Sequence, residues 1–435
     1  MSNAYFKVPE PVNEPIKAYA PGSPEKAELK AKIAELKAQE IDVPIIIGGK
    51  EIRTGDTAEM RIPHEHGHKL GVYHKAGEKE VAMAVEAALE AQKAWAVMPW
   101  EQRVAIFLKA ADLLAGPWRA TINAATMLGQ SKTAYQAEID AACELIDFWR
   151  FNAHYMAELM KDQPYSPAGM WNRVEYRTLE GFVFAVTPFN FTSIAGNLPT
   201  APAIVGGVAL WKPASSAVYS AYFLVKLLEE AGLPAGVVNF IPGSGGKVGN
   251  PVLANPNLAG IHFTGSTAVF QDMWKTVGEN IANYKYYPRI VGETGGKDFT
   301  FAHNSADVDA LAIGHSRCLR VPGPEVLGSL THVYSQIHLA GLPRKICRRS
   351  GKYLRRRSGE FHEFHERRHR QGRVHQHHRL HQVRGGSLRR GNHHRWQIRR
   401  QQGLLHRADH HRDDRSEVQV HGRRNLRSRA DDLCL

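Results

Sequence analysis

The chain has 435 residues, 43% of them hydrophobic, enough for two or more domains with cores of their own. No run approaches the length of a membrane-spanning helix, and four cysteines without paired spacing supply neither a disulfide framework nor a zinc site. The net charge of +13 is unevenly placed: residues 315–435 carry 28 Lys+Arg against 10 Asp+Glu, and residues 1–314 carry 28 against 33.

From Met1 to Ala20 the chain has scattered prolines and acids, the pattern of neither a signal peptide nor a clear Arg-rich transit peptide. Residues 23–40 read as a charged amphipathic helix, and 44–54 as a strand and turn. Helical spacing runs from Glu78 to Val97, breaks at Pro99 and resumes over 101–115. A long helical pattern comes next over 131–160, with Ser131 as its N-cap and Phe148, Trp149 and Phe151 as core residues.

The period then changes. Short apolar runs at 181–188, 208–213, 237–241 and 260–264 alternate with helical stretches at 195–207 and 215–231 and a further one before 260. Strands alternating with helices predict an α/β fold with a parallel sheet, whose ligands sit beyond the strands' carboxyl ends. Asn190, Lys212, Gly243 and Gly265 all fall there.

Gly243-Ser-Gly245-Gly-Lys-Val-Gly249 is glycine-rich at a strand end, but its G-x-G-x-x-x-G spacing departs from the dinucleotide fingerprint. Phe263-Thr-Gly265-Ser266-Thr267 comes after a strand and opens a helix, so its backbone N–H groups can meet a pyrophosphate. Lys212 suits ribose hydroxyls or a phosphate, and Asn190, between two phenylalanines, offers an amide donor to an oxyanion. In Gly292-Glu293-Thr294-Gly295-Gly296-Lys297 the glycines predict a turn that holds Glu293 ready to take a proton. Taken one at a time, these residues fit a turn, a cap, a solvated lysine, a satisfied amide and a surface glutamate equally well.

Together, Pro188-Phe-Asn-Phe, Trp211-Lys-Pro, Phe263-Thr-Gly-Ser and Gly292-Glu-Thr-Gly-Gly-Lys resemble the NAD(P)-dependent aldehyde dehydrogenases in order and spacing. The Pro-Phe-Asn-Phe-Thr wording, Lys-Pro-Ala-Ser-Ser-Ala (212–217) and Tyr287-Pro-Arg-Ile-Val-Gly-Glu look like the Δ1-pyrroline-5-carboxylate dehydrogenase branch of proline breakdown. That resemblance implies an aldehyde-dehydrogenase-like fold, with an N-terminal extension and helix over 1–40 and an NAD-binding domain over 41–291. It also implies an oligomerisation segment near 165–180 and the start of a catalytic α/β domain at 292–314. Asn190 would help hold the oxyanion, Glu293 would be the general base, and Lys212 would grip the adenosine ribose. Thr187 and residues 265–269 (Gly265, Ser266, Thr267, Ala268, Val269) would line the NAD site. The family's mechanism has a cysteine thiolate attack the aldehyde, hydride pass to NAD+, and water activated by the glutamate release the acid. The implied reaction is NAD-dependent oxidation of L-glutamate 5-semialdehyde, a small-molecule substrate, to L-glutamate. A homo-oligomer in the mitochondrial matrix is also implied, with no metal, membrane or specific nucleic-acid partner. A non-catalytic nucleotide-binding remnant and a dehydrogenase for another aldehyde are the alternatives.

The resemblance stops near residue 314. Where the family has its nucleophilic cysteine, this chain reads Arg317-Cys318-Leu319-Arg320-Val321-Pro322, and Cys318 stands in the wrong context. Codons written for residues 318–329 and read one base later permit GAFEYQGQKCSA, the family's nucleophile motif, and residues 403–434 permit a string containing its Glu-Glu-Ile-Phe-Gly-Pro signature. The stretch from about 315 onward thus reads as an out-of-frame translation beginning near His315 or Ser316, and the chain as written is expected to be inactive. Taken at face value, its arginines would neutralise phosphates of RNA or acidic lipid, and His377-His378, His393-His394 and His410-His411 would be metal candidates.

Overall fold

The computed structural model describes residues 6–295, 305–307 and 309–311, together with 299–302 and 331–334 as backbone strands. The chain divides into two compact units; residues 6–295 lie in the first, and the described residues from 299 on lie in the second.

In the first unit, Pro24 occupies the opening turn of α1 (Pro24–Lys37), where no intrahelical N–H is required. This helix buries Leu29 and Leu36, two turns apart on one face. Strands β1 (Ile41–Val43), β2 (Ile45–Ile47) and β3 (Lys50–Ile52) come next. Gly48 and Gly49, with φ of 56° and 75°, make the two-residue turn between β2 and β3, where both positions need positive φ. After them come β4 (Thr57–Ile62), β5 (Glu65–His74) and α2 (Glu78–Trp95). Pro99 ends that run and precedes α3 (Trp100–Ala115), as the sequence predicts.

Two features depart from the expected 131–160 helix. A helix outside the expected elements, α4 (Arg119–Gln130), comes first, and Ser131 is its C-cap in the left-handed conformation (φ 59°) rather than the N-cap of the next helix. That N-cap is Thr133, which exchanges hydrogen bonds with Gln136 in a capping box at the start of α5 (Ala134–Ala137). The helix then widens into a π-turn, Glu138–Cys143, before α6 (Glu144–Lys161). Trp149 is 1% exposed, whereas Phe148 and Phe151 are half-buried.

The expected β/α alternation is present: β6 (Phe182–Val186), α7 (Thr192–Ile204), β7 (Val208–Lys212), α8 (Val218–Ala231) and β8 (Val238–Phe240). After these come α9 (Gly245–Leu253), β9 (Leu258–Gly265), α10 (Thr267–Glu279) and β10 (Arg289–Thr294). The sheet runs β10-β9-β6-β7-β8-β2-β3, parallel from β10 to β8 and antiparallel at β2 and β3. At its centre Phe184 lies opposite Leu210 and Ile261, and Phe182, Phe184, Trp211 and Phe240 are fully buried. Such unbroken apolar strands need helices against them, and α2 and α7 pack on the middle of the sheet. A smaller sheet, β1-β5-β4, stands apart from it in the hydrogen-bond ladder. In the second unit, β11 (Phe299–Ala302) and β12 (Thr331–Tyr334) form a parallel pair.

Candidate active site at the strand ends

The carboxyl ends of β6 and β7 are tied together before either delivers a functional group. Trp211 Nε1 donates to Thr187 Oγ1 at 3.0 Å, and the Thr187 amide donates to the Lys212 carbonyl at 3.2 Å. Thr187, expected among the cofactor residues, is a buried tie between the two strands. From it the chain turns through Pro188-Phe189-Asn190 into α7. Asn190 is 8% exposed, and its carboxamide has no hydrogen-bond partner among the described residues. A buried amide with unspent donors is available to a developing negative charge.

Lys212, also 8% exposed, donates to the Pro213 carbonyl at 3.2 Å. An ammonium has three donors, and one carbonyl leaves it under-satisfied. Burial holds its pKa below the ordinary lysine value. At the end of β9, Ser266 caps α10 by accepting from the Val269 amide at 3.4 Å. Ser266, Thr267, Ala268 and Val269 are all exposed there, and Gly265 is half-buried. The first turn of α10 thus presents backbone N–H groups at the same sheet edge as Lys212. Gly243 serves a different purpose: a Cβ there would approach the Ala76 carbonyl to 2.9 Å, so this glycine lets β8 close against the start of α2.

Glu293 is not held in a glycine turn. Residues 289–294 form β10, and Glu293 lies opposite Thr264 in its register with β9. The glycines clear space instead: a Cβ on Gly292 would sit 2.2 Å from the Phe270 ring, which stacks on Phe263 with centroids 5.4 Å apart. The apolar run Arg289-Ile290-Val291 is the start of the same edge strand. Glu293 is exposed at its end. Gly296, Lys297 and Cys318 lie outside the described residues.

A second carboxylate, overlooked in the sequence, joins the site from the helical side. Glu144 opens α6, and burial, with the charges of Asp140 and Glu293 adding to it, raises its pKa above the usual carboxylate range. Ser193 Oγ, on the first turn of α7, donates to Glu144 Oε2 at 2.5 Å. Beside it Lys132 Nζ meets Asp140 Oδ2 at 2.6 Å and stands 4.3 Å from the centroid of the Phe191 ring. Glu144, Lys132 and Phe191 thus surround the turn that carries Asn190. The signal for Glu144 was a carboxylate inside the apolar stretch Ala141-Ala142-Cys143-Glu144-Leu145-Ile146.

The model of the aldehyde dehydrogenase family matches residues 52–317. Delta-1-pyrroline-5-carboxylate dehydrogenase of Agaricus bisporus is 52% identical over 307 residues, which are 70% of this chain and 56% of that protein. The mitochondrial delta-1-pyrroline-5-carboxylate dehydrogenase of Dictyostelium discoideum is 51% identical over 309 residues, 70% of this chain and 55% of its own length. A crystal structure of the Mycobacterium tuberculosis Delta-pyrroline-5-carboxylate dehydrogenase bound with NAD superposes with a TM-score of 0.74 at 48% identity, covering 81% of this chain and 65% of that one. The chain thus spans about half the length of the curated relatives it matches. With the match covering most of the parallel sheet and its strand ends, this chain belongs to the aldehyde dehydrogenase family.

Proposed function

We propose that residues up to about 314 are the cofactor-binding part of an NAD-dependent dehydrogenase that oxidises L-glutamate 5-semialdehyde to L-glutamate in proline breakdown. The observation that carries this is the convergence of Asn190, Lys212, Ser266 and Glu293 on the carboxyl ends of neighbouring parallel strands, where α/β sheets bind ligands. The residues present fit NAD: Lys212 is a buried cation with donors to spare, and the exposed first turn of α10 suits an anion. When bound, NAD+ accepts the hydride lost by the aldehyde carbon.

The chain's own residues supply the rest. Asn190 Nδ2 donates to the substrate oxygen as it gains negative charge. Lys212 Nζ donates to the adenosine ribose, and Thr187 with residues 265–269 lines the cofactor. Glu293 takes a proton from the water that releases the acid. Glu144, whose carboxyl burial pushes above its ordinary value, packs behind the Asn190 turn through Ser193.

Because Lys212 is a buried cation with one partner, Lys212→Met should remove both a binding group and a cost of folding. Without ligand, the variant should melt about 2–4 °C higher, the shift that about 1 kcal/mol brings in a domain of this size. The wild-type chain should gain several degrees on adding NAD at about 100-fold its Kd, where binding contributes about 2.7 kcal/mol. An equal NAD shift in the variant and the wild type would remove Lys212 from the site.

The segment 165–180 joins copies of the chain. It has no helix or strand, and it exposes Tyr165 (83%), Met170 (65%) and Trp171 (89%). Met170→Ser with Trp171→Ser should lower the sedimentation coefficient toward that of a monomer; an unchanged coefficient dismisses the segment as an interface. Mitochondrial placement rests on the names of relatives such as the Dictyostelium protein, and organelle fractionation checks it. The family match ends at residue 317, close to where the composition turns basic, which supports an out-of-frame tail from about 315. The codons from His315 onward decide that: stops or unrelated residues one base on would dismiss it.

A further inference from the structure

We infer that residues 12–19 act as a strap that sets the positions of Glu144 and of the Asn190 turn through the π-turn Glu138–Cys143. The strap is bound by side chains rather than by a ladder. Glu138, 0% exposed, accepts from the Lys17 amide at 2.7 Å and from the Tyr19 hydroxyl at 2.7 Å. It also accepts from Asn123 Nδ2 at 2.9 Å and from Arg119. Arg119 reaches the other way to Glu14 and, at 2.8 Å, to the Pro15 carbonyl. Asp147 on α6 accepts from the Glu14 amide at 2.7 Å and Asn13 Nδ2 at 2.8 Å, and Arg150 Nη1 donates to Glu14 at 2.8 Å. Tyr19 holds a positive φ of 51°, a conformation a bulky residue keeps only where its surroundings over-determine it.

The far end of the path is equally specified. A π-turn carries one residue more than an α-turn and is rarely stable alone, so its flanks must hold it open. Glu138 is its first residue, and the strap supplies two of its donors. Asp140, inside the turn, holds Lys132 against the Phe191 ring, and Glu144, directly after the turn, holds Ser193. Relaxation toward α geometry would move Asp140 and Glu144 off these partners. Asn190, flanked by Phe191 and three residues before Ser193, would move with them.

Cys143, the last residue of the π-turn, reports on this. Its thiol is 5% exposed, 3.3 Å from Arg119 Nη2 and 3.9 Å from the Pro15 carbonyl, and burial pushes its pKa up to about 12. In the full-length chain, Glu14→Gln with Tyr19→Phe should speed maleimide labelling of Cys143 at least tenfold. Amide exchange at 138–144 and 189–196, followed by mass spectrometry, should rise by the same factor while α8 stays protected. Faster exchange confined to 12–19, or rising equally in α8, would overturn the coupling. If the double variant unfolds, Tyr19→Phe alone decides: the coupling stands when 138–144 and 189–196 open ahead of α8 and falls when they do not. The chemical roles of Asn190 and Glu144 rest on the proposed dehydrogenase function, but exchange and labelling read the coupling whether or not the chain oxidises an aldehyde.

Discussion

The purified 435-residue chain is expected to form no NADH from L-glutamate 5-semialdehyde, whereas the same chain with its frame restored near residue 316 forms it steadily. The described residues hold an amide donor at Asn190 and a carboxylate at Glu293, and in the proposed mechanism these serve a thiolate that attacks the aldehyde carbon. Cys318 falls near the required place in the sequence, yet its neighbours do not match the family's motif. Losing the nucleophile of a covalent mechanism costs on the order of 10⁶ in turnover, because the groups around it act as a unit. In the restored chain, Glu293→Gln should lower turnover on the order of 10²–10⁴, the range for a lost general base. The decisive comparison uses the chain as it stands: NADH formation that disappears in Glu293→Ala would show that a working sulfur is present after all.

The second large effect concerns stability. Arg119→Met is expected to cost about 3–5 kcal/mol, the usual result of stranding a buried charge by deleting its partner. Arg119 is 2% exposed, and it holds both Glu138 and Glu14. Burial alone would raise the Glu138 pKa, but hydrogen bonds from Arg119, the Lys17 amide and Tyr19 outweigh it and hold the carboxyl below its ordinary value of 4.5. Linkage gives the sign. A depressed carboxyl contributes stability above its unfolded pKa and loses it as pH falls through the folded one. In the variant Glu138 is a buried acid without its cation, so its pKa rises and protonation relieves the penalty. The gap in melting temperature, on the order of 10 °C at pH 7, should narrow toward pH 4. A gap that is constant with pH would mean that lost packing, not stranded charge, causes the effect.

The parallel sheet was legible because its strands are short apolar runs closed by Pro or Gly, as at Val186-Thr187-Pro188 and Lys212-Pro213. Lys212, Ser266 and Asn190 could be placed from that rule alone, since each comes just after a strand or at its end. Ser131 was misplaced because Ser131-Lys132-Thr133 offers two capping residues, and only the reciprocal bond with Gln136 selects Thr133. Glu293 was put in a turn because its glycines suggested positive φ, whereas Gly292 is there to admit the Phe270 ring. The apolar stretch around Glu144 marks it as a carboxylate on a packed face, but its partner Ser193 depends on α7 lying across α6, a tertiary fact. Residues 12–19 have no periodicity, and their bonds reach partners more than a hundred residues away.

The sheet order carries a consequence for synthesis. Its last strand ends at Thr294, and every ladder in it joins residues between Ile45 and that point. About 140 residues are still untranslated at that moment, roughly 7–28 s of ribosome time at ordinary elongation rates. The body built on this sheet can therefore close while the ribosome is still reading the basic stretch. Cellular quality control would then meet a finished globule with its own cooperative melting, whatever the later codons specify.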